Sequence, residues 1–152
     1  MRDTDAAIPT TTVRRAESTD DIASCLSIRS DVFVREQGVP PELEIDGFDA
    51  VAAHYLGFRD RAPLATGRVR LVGELAKLQR IAVLPRARGT GLGAALVRRM
   101  IEDLRAEGVA RGITLGSQEA AVGFYGKLGF AVHGERFMDA GIAHREMRLA
   151  LR

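Results

Sequence analysis

The stretch Leu78-Gln79-Arg80-Ile81-Ala82-Val83-Leu84-Pro85-Arg86-Ala87-Arg88-Gly89-Thr90-Gly91-Leu92-Gly93-Ala94-Ala95-Leu96 carries the clearest structural signal in the chain. An apolar strand runs to Val83, and Pro85 ends its ladder because proline has no N–H to donate. Gly89, Gly91 and Gly93 form a turn that leaves the backbone uncovered. Leu92, Leu96, Met100 and Leu104 then recur at helical spacing. A glycine-rich turn leading into a helix presents free N–H groups and the positive end of the helix dipole. Arg86 and Arg88 add formal charge, so the natural guest is a phosphate or pyrophosphate.

Upstream of this turn, Thr10 to Arg15 reads as a first strand after a frayed tail over residues 1–9. Ser18-Thr19-Asp20-Asp21 is a helix-start cluster, and Ile22, Leu26 and Phe33 continue a helix over residues 20–35. Gly38 and Pro40-Pro41 stop it. Three strands follow, over 52–58, 64–72 and 75–83. Downstream, the helix over 91–107 ends at Gly108, and Arg111 to Gly116 is a short strand. A helix over 119–128, a strand opening at Phe130 and a last strand over 142–151 complete the order. This succession predicts an α+β fold, a mixed α/β sandwich, built as one domain over residues 10–152.

Bulk properties narrow the function. The chain has 152 residues, with 22 basic against 20 acidic side chains and a net charge of +2. That balance argues for neither nucleic acid nor a membrane surface. The single cysteine, Cys25, has no internal disulfide partner and suits a reducing compartment as a helix filler. No apolar run approaches the ~20 residues of a membrane span, and residues 1–9 lack the apolar middle of a signal peptide. A cytoplasmic protein is expected.

Residues 36–50 hold Glu36, Glu42, Glu44, Asp46 and Asp49. They read either as a solvated acidic loop or as a counter-charge for a cationic substrate.

The glycine turn fits two patterns. Gly89-Thr90-Gly91-Leu92-Gly93-Ala94 satisfies the loose dinucleotide form G-x-G-x-x-A. Against it, antiparallel strands precede the turn, and no acidic residue ends a second parallel strand about 20 residues on. The other pattern is Arg88-Gly89-Thr90-Gly91-Leu92-Gly93, an R-x-x-G-x-G turn after a strand. Here the sequence resembles the GNAT superfamily of acetyl-coenzyme-A-dependent N-acetyltransferases. A second block, Gln118-Glu119-Ala120-Ala121-Val122-Gly123-Phe124-Tyr125-Gly126-Lys127-Leu128-Gly129-Phe130, is similar to that family's, with Gln118 where asparagine is usual. Val32 to Pro40, Glu44-Ile45-Asp46, His54-Tyr55-Leu56 and Asp139 to Met147 resemble the ElaA/YjcF-like branch.

The resemblance implies a central, mostly antiparallel sheet of six to seven strands flanked by about four helices. It implies transfer of an acetyl group from acetyl-CoA to a primary amine by direct attack in a ternary complex, with no metal. The cofactor would lie on the backbone of Gly89, Thr90, Gly91, Leu92, Gly93 and Ala94, beside Arg88. Its arm would run along Ile81, Ala82 and Val83, with Gln118 and Phe124 beside it. Tyr125 would protonate the departing thiolate; by pattern alone it is a core tyrosine on an amphipathic helix. The base that takes the amine's proton would be His144 or Glu36, with His54 and Glu44 as further candidates. Glu36, Gln37, Glu44 and His54 would line the acceptor pocket; otherwise Glu36 and Gln37 are a polar helix end and His144 a strand histidine. The acceptor would be a small molecule or peptide amine, and pairing as a homodimer is common among such proteins. A non-catalytic acyl-CoA sensor and a dinucleotide-binding protein are the alternatives.

Overall fold

Alternating strand patterns and three amphipathic stretches build the architecture of the computed structural model, which describes residues 8–151. Residues 1–7 of the expected tail lie outside the described residues. The strands are β1 (Thr11–Ala16), β2 (Ala53–Arg59), β3 (Ala62–Val72), β4 (Leu75–Val83), β5 (Gly112–Gln118), β6 (Ala131–Val132), β7 (Phe137–Asp139) and β8 (Ile142–Ala150). The helices are α1 (Thr19–Arg29), α2 (Pro41–Glu44), α3 (Leu92–Glu107) and α4 (Val122–Lys127). Among the described residues the eight strands form one sheet in the order β1-β2-β3-β4-β5-β8-β6, with β7 also on β8. The sheet therefore has one strand more than the six to seven expected, because Phe137–Asp139 folds back on Ile142–His144. All the pairings are antiparallel except β4 with β5.

Helix α3 buries Leu92, Leu96, Val97, Met100, Ile101 and Leu104 against the sheet. Each such side chain contributes roughly 1.5–3 kcal/mol when taken from water. The helix expected over 20–35 is not uniformly α. After Arg29 it widens into a π-helical turn over Ser30–Glu36, where the Gln37 N–H donates to the Val32 carbonyl at 3.1 Å. The wider turn is one of the forms that backbone takes near functional sites. It carries Phe33 and Gln37 toward the open end of the sheet. No helix among the described residues is long and apolar enough to cross a membrane.

Candidate active site

The site begins where two strands part. β4 and β5 pair in parallel only from Leu75↔Gly112 to Leu78↔Leu115. Beyond Leu78 the β4 edge leaves its neighbour while still pairing β3 as far as Val83↔Ala65. A bulge accompanies the parting. Between Thr66↔Ala82 and Arg68↔Gln79, the single residue Gly67 of β3 faces Arg80 and Ile81 of β4. The bulge bends β4 and increases its local twist. Arg80 takes φ +56°, a left-handed conformation that costs a non-glycine residue roughly 1–2 kcal/mol. A Cβ at Gly67 would lie 2.7 Å from Ile81 Cδ1 and 3.1 Å from Met100 Sδ, so a larger residue there would push both side chains aside.

The acidic stretch holds this bulge in place. Arg80 donates to the Glu44 carbonyl at 3.0 Å and pairs with Glu44 Oε2 at 2.8 Å and Asp46 Oδ2 at 3.2 Å. Glu44 is itself held by Arg29, whose Nε and Nη2 reach its two carboxylate oxygens at 3.0 Å each. Arg29 and Arg68 share Asp49 Oδ1 at 2.7 and 2.8 Å. Arg68 is 0% exposed and Arg29 1%. Charges so deep persist only when paired. The Arg68 hydrogen bonds hold the Asp46 carboxyl far below the usual carboxylate range. At Asp49 burial opposes ionisation, but the bonds from Arg29 and Arg68 outweigh it and lower its pKa.

Between the parted strands lies a cavity of about 970 Å³. The glycine turn closes one end. Gly89 and Gly91 sit at φ +75° and +87°, and Gly91 caps α3 without a side-chain bond. The Ala95 N–H donates to the Gly91 carbonyl at 3.0 Å. Among the described residues, the six N–H groups from Gly89 to Ala94 have no backbone acceptor. Such a row, at the N-terminus of a 16-residue helix, fits an anionic group such as a pyrophosphate. Arg88, Gly89, Gly91, Gly93 and Ala94 line the cavity, as do Ile81, Ala82, Val83, Gln118 and Phe124. Thr90 does not line it: its hydroxyl donates to the Ala87 carbonyl. Leu92 is 0% exposed in the core and offers the turn only its N–H.

Tyr125 and His144 both line the same cavity. Tyr125 stands edge-on to Phe124 and Phe130, with ring centroids at 4.9 and 5.9 Å. Burial pushes its hydroxyl above the ordinary tyrosine range. His144 lies opposite Gln118 in the β5–β8 register and stacks on Phe137 at 5.6 Å. Its Nδ1 is 2.7 Å from the Ile142 carbonyl. A carbonyl can only accept, so in the neutral ring Nδ1 carries the proton and Nε2 keeps its lone pair. Gln118 and Gln37 join through their amides, Gln118 Nε2 donating to Gln37 Oε1 at 2.8 Å. This links β5 to the end of the π-helical turn.

Three expected residues have other work. Glu36 does not line the cavity. Both its oxygens take hydrogen bonds from Arg88, at 2.6 and 2.7 Å, and those bonds lower its pKa, which makes it a poorer base. Arg88 in turn is shared, since its Nε also donates to the Val83 carbonyl at 2.9 Å. Glu44 borders the cavity but is 4% exposed, its charge spent on Arg29 and Arg80. His54 is buried at 6% and lies outside the cavity lining; its Nε2 donates to the Asp49 carbonyl at 2.8 Å. Glu44, Asp46 and Asp49 of the acidic stretch are therefore held in ion pairs within the protein, because folding brings three arginines onto them. Sequence reading missed Lys77, Thr114, Asp139 and Glu146, which also line the cavity. The available signal was polar residues at alternate positions of two adjacent strands, Arg68 and Arg70 against Lys77 and Gln79.

A mixed sheet parted at a bulge, with a glycine turn of free amides at the mouth, defines the acyl-CoA-dependent transferase fold. The chain belongs to the GNAT acetyltransferase family: the family model described as Acetyltransferase (GNAT) domain matches residues 19–151. It is 37% identical over 133 residues to the N-acetyltransferase YjcF of Bacillus subtilis (strain 168), a protein labelled uncharacterized, covering 87% of this chain and 94% of that one. Among solved structures it resembles an acyl-CoA N-acyltransferase from Pseudomonas aeruginosa, with a TM-score of 0.80 and 27% identity over 94% of this chain and 100% of that one. Escherichia coli ElaA superposes with a TM-score of 0.79 at 25% identity, covering 93% and 99%. The protein is thus an acyltransferase of the GNAT type.

Proposed function

We propose that this chain transfers an acetyl group from acetyl-CoA to a primary amine by direct attack of the amine on the thioester. The observation that carries the reading is the unbonded amide row from Gly89 to Ala94, opening onto a cavity that also holds Tyr125 and His144. The amides receive the cofactor pyrophosphate, and the unpaired β4 edge at Ile81–Val83 receives the amides of its arm. A β4 N–H polarises the carbonyl oxygen as charge develops there. A primary ammonium loses its proton only near pH ~10, so a base assists. His144 Nε2 takes that proton, directly or through one water. Tyr125 gives its hydroxyl proton, or a hydrogen bond, to the leaving sulfur; burial keeps the hydroxyl protonated until then. Gln37, fixed by Gln118, faces the acceptor.

The test is ligand-dependent unfolding followed by turnover. Acetyl-CoA at 100 times its Kd stabilises a protein that binds it by about 2.7 kcal/mol, or ~5–10 °C in Tm for a chain of this size. NAD should give no shift. Thiol release across an amine panel then reports transfer, and release with none of the amines would defeat the catalytic reading.

A further inference from the structure

The cavity floor is one face of the sheet, and the register sets its charges in rows. Arg70 of β3 faces Lys77 of β4, Lys77 faces Thr114 of β5, and Thr114 faces Arg148 of β8. Four residues further along β5, Gln118 faces His144. Most floor charges are already satisfied. Glu146 bonds Arg148 and Thr114 at 2.8 and 2.9 Å. Arg70 stacks on Phe48 at 3.9 Å and donates to Gln79. Lys77 lines the cavity, and among the described residues no carboxylate lies in ion-pair range of it. Two cations directly opposite on neighbouring strands, Arg70 and Lys77, are destabilising unless an anion joins them. At the other end of the floor, Asp139 of β7 lines the cavity near His144 and is likewise without an ion-pair partner among the described residues.

We propose that the acceptor is an amine bearing a carboxylate, its carboxylate received by Lys77 and its amine lying at the Asp139–His144 end. This rests on the acetyltransferase reading above and names the substrate class for that site. Four residues of strand separate the two levels, ~13 Å. An extended ω-amino acid fits that separation, and an α-amino acid, with its charges on adjacent carbons, does not. A polycation is disfavoured because Glu44, the carboxylate of residues 36–49 that borders the site, is paired with Arg29 and Arg80. A single ammonium, with no row of free amides beside it, suits a carboxylate rather than a phosphate.

Matched amines test this in the full chain: 6-aminohexanoate, hexylamine and 1,6-diaminohexane, each with acetyl-CoA. 6-Aminohexanoate should exceed hexylamine in kcat/KM by about tenfold or more, the worth of one charge-assisted hydrogen bond. Lys77→Met should bring that ratio toward one, and Lys77→Glu should turn the preference to the diamine. Preference for the diamine in wild type, or an unchanged ratio in Lys77→Met, overturns the proposal. A second readout needs no turnover: calorimetric binding of 6-acetamidohexanoate, expected in wild type and weakened at least tenfold in Lys77→Met. Absent or Lys77-independent binding also overturns it. If no amine is acetylated, the catalytic reading fails, while the calorimetry still decides the role of Lys77. Thermal unfolding checks the fold, and Lys77→Met should melt at or above wild type because it removes the repulsion from Arg70.

Discussion

Among the described residues Tyr125 has no side-chain hydrogen-bond partner, and burial alone raises its pKa. Tyr125→Phe keeps the ring between Phe124 and Phe130 and removes only the hydroxyl. Turnover should fall by roughly 10²-fold, within the usual range for a lost general acid, with acetyl-CoA affinity near wild type. Steady-state kinetics beside calorimetry separates the two, and an undiminished kcat would remove Tyr125 from the chemistry. His144→Gln should lower kcat/KM most at neutral pH and least near pH ~10, where the amine deprotonates unaided. A pH–rate profile parallel to wild type would exclude His144 as the base. Arg88 is bound by Glu36, and in the proposed acetyl-CoA complex the pyrophosphate would compete for it. Glu36→Gln should therefore tighten acetyl-CoA binding by about two- to fivefold at low salt, the worth of an exposed ion pair, and the gain should shrink as salt rises.

The bulge in β4 depends on elements distant in sequence. The turn from α2 through Asp49 supplies the carboxylates, and α1, β3 and β4 each supply one arginine. Asp49→Ala leaves Arg29 and Arg68 with less counter-charge in the interior. It should cost about 3–5 kcal/mol, the usual penalty for breaking a buried pair from one side. Urea denaturation measures it; a loss below 1 kcal/mol would mean the network is not coupled to folding. Sequence reading recognised the strands and helices here, because period and turn residues are local. It did not recognise the π-helical turn, since that depends on how α1 meets the acidic stretch. It also placed Glu36 and His54 in a pocket whose lining they do not join. A carboxylate looks alike in sequence whether water or a buried guanidinium will face it.

Across the molecule, the same network sets the response to acid. Asp46 and Asp49 have lower pKa values folded than unfolded, so the unfolded chain binds protons first as pH falls. Their contribution is fully present above pH ~4 and is lost as pH drops toward their folded values. Stability should therefore decline steadily below pH ~4, and Asp46→Asn should flatten that decline. By itself the sequence determined the glycine turn, its helix, the order of elements and the resemblance to the GNAT family. These follow from spacing within a few residues, where chain geometry dictates which side chains share a face. The tertiary structure decided where β4 leaves β5, which carboxylates are spent on arginines, and which charge at the cavity is left over. Those facts depend on register between strands and on contacts between residues far apart in sequence. Arg88 stands on that boundary: its place in the motif is local, but its partner Glu36 is set by folding.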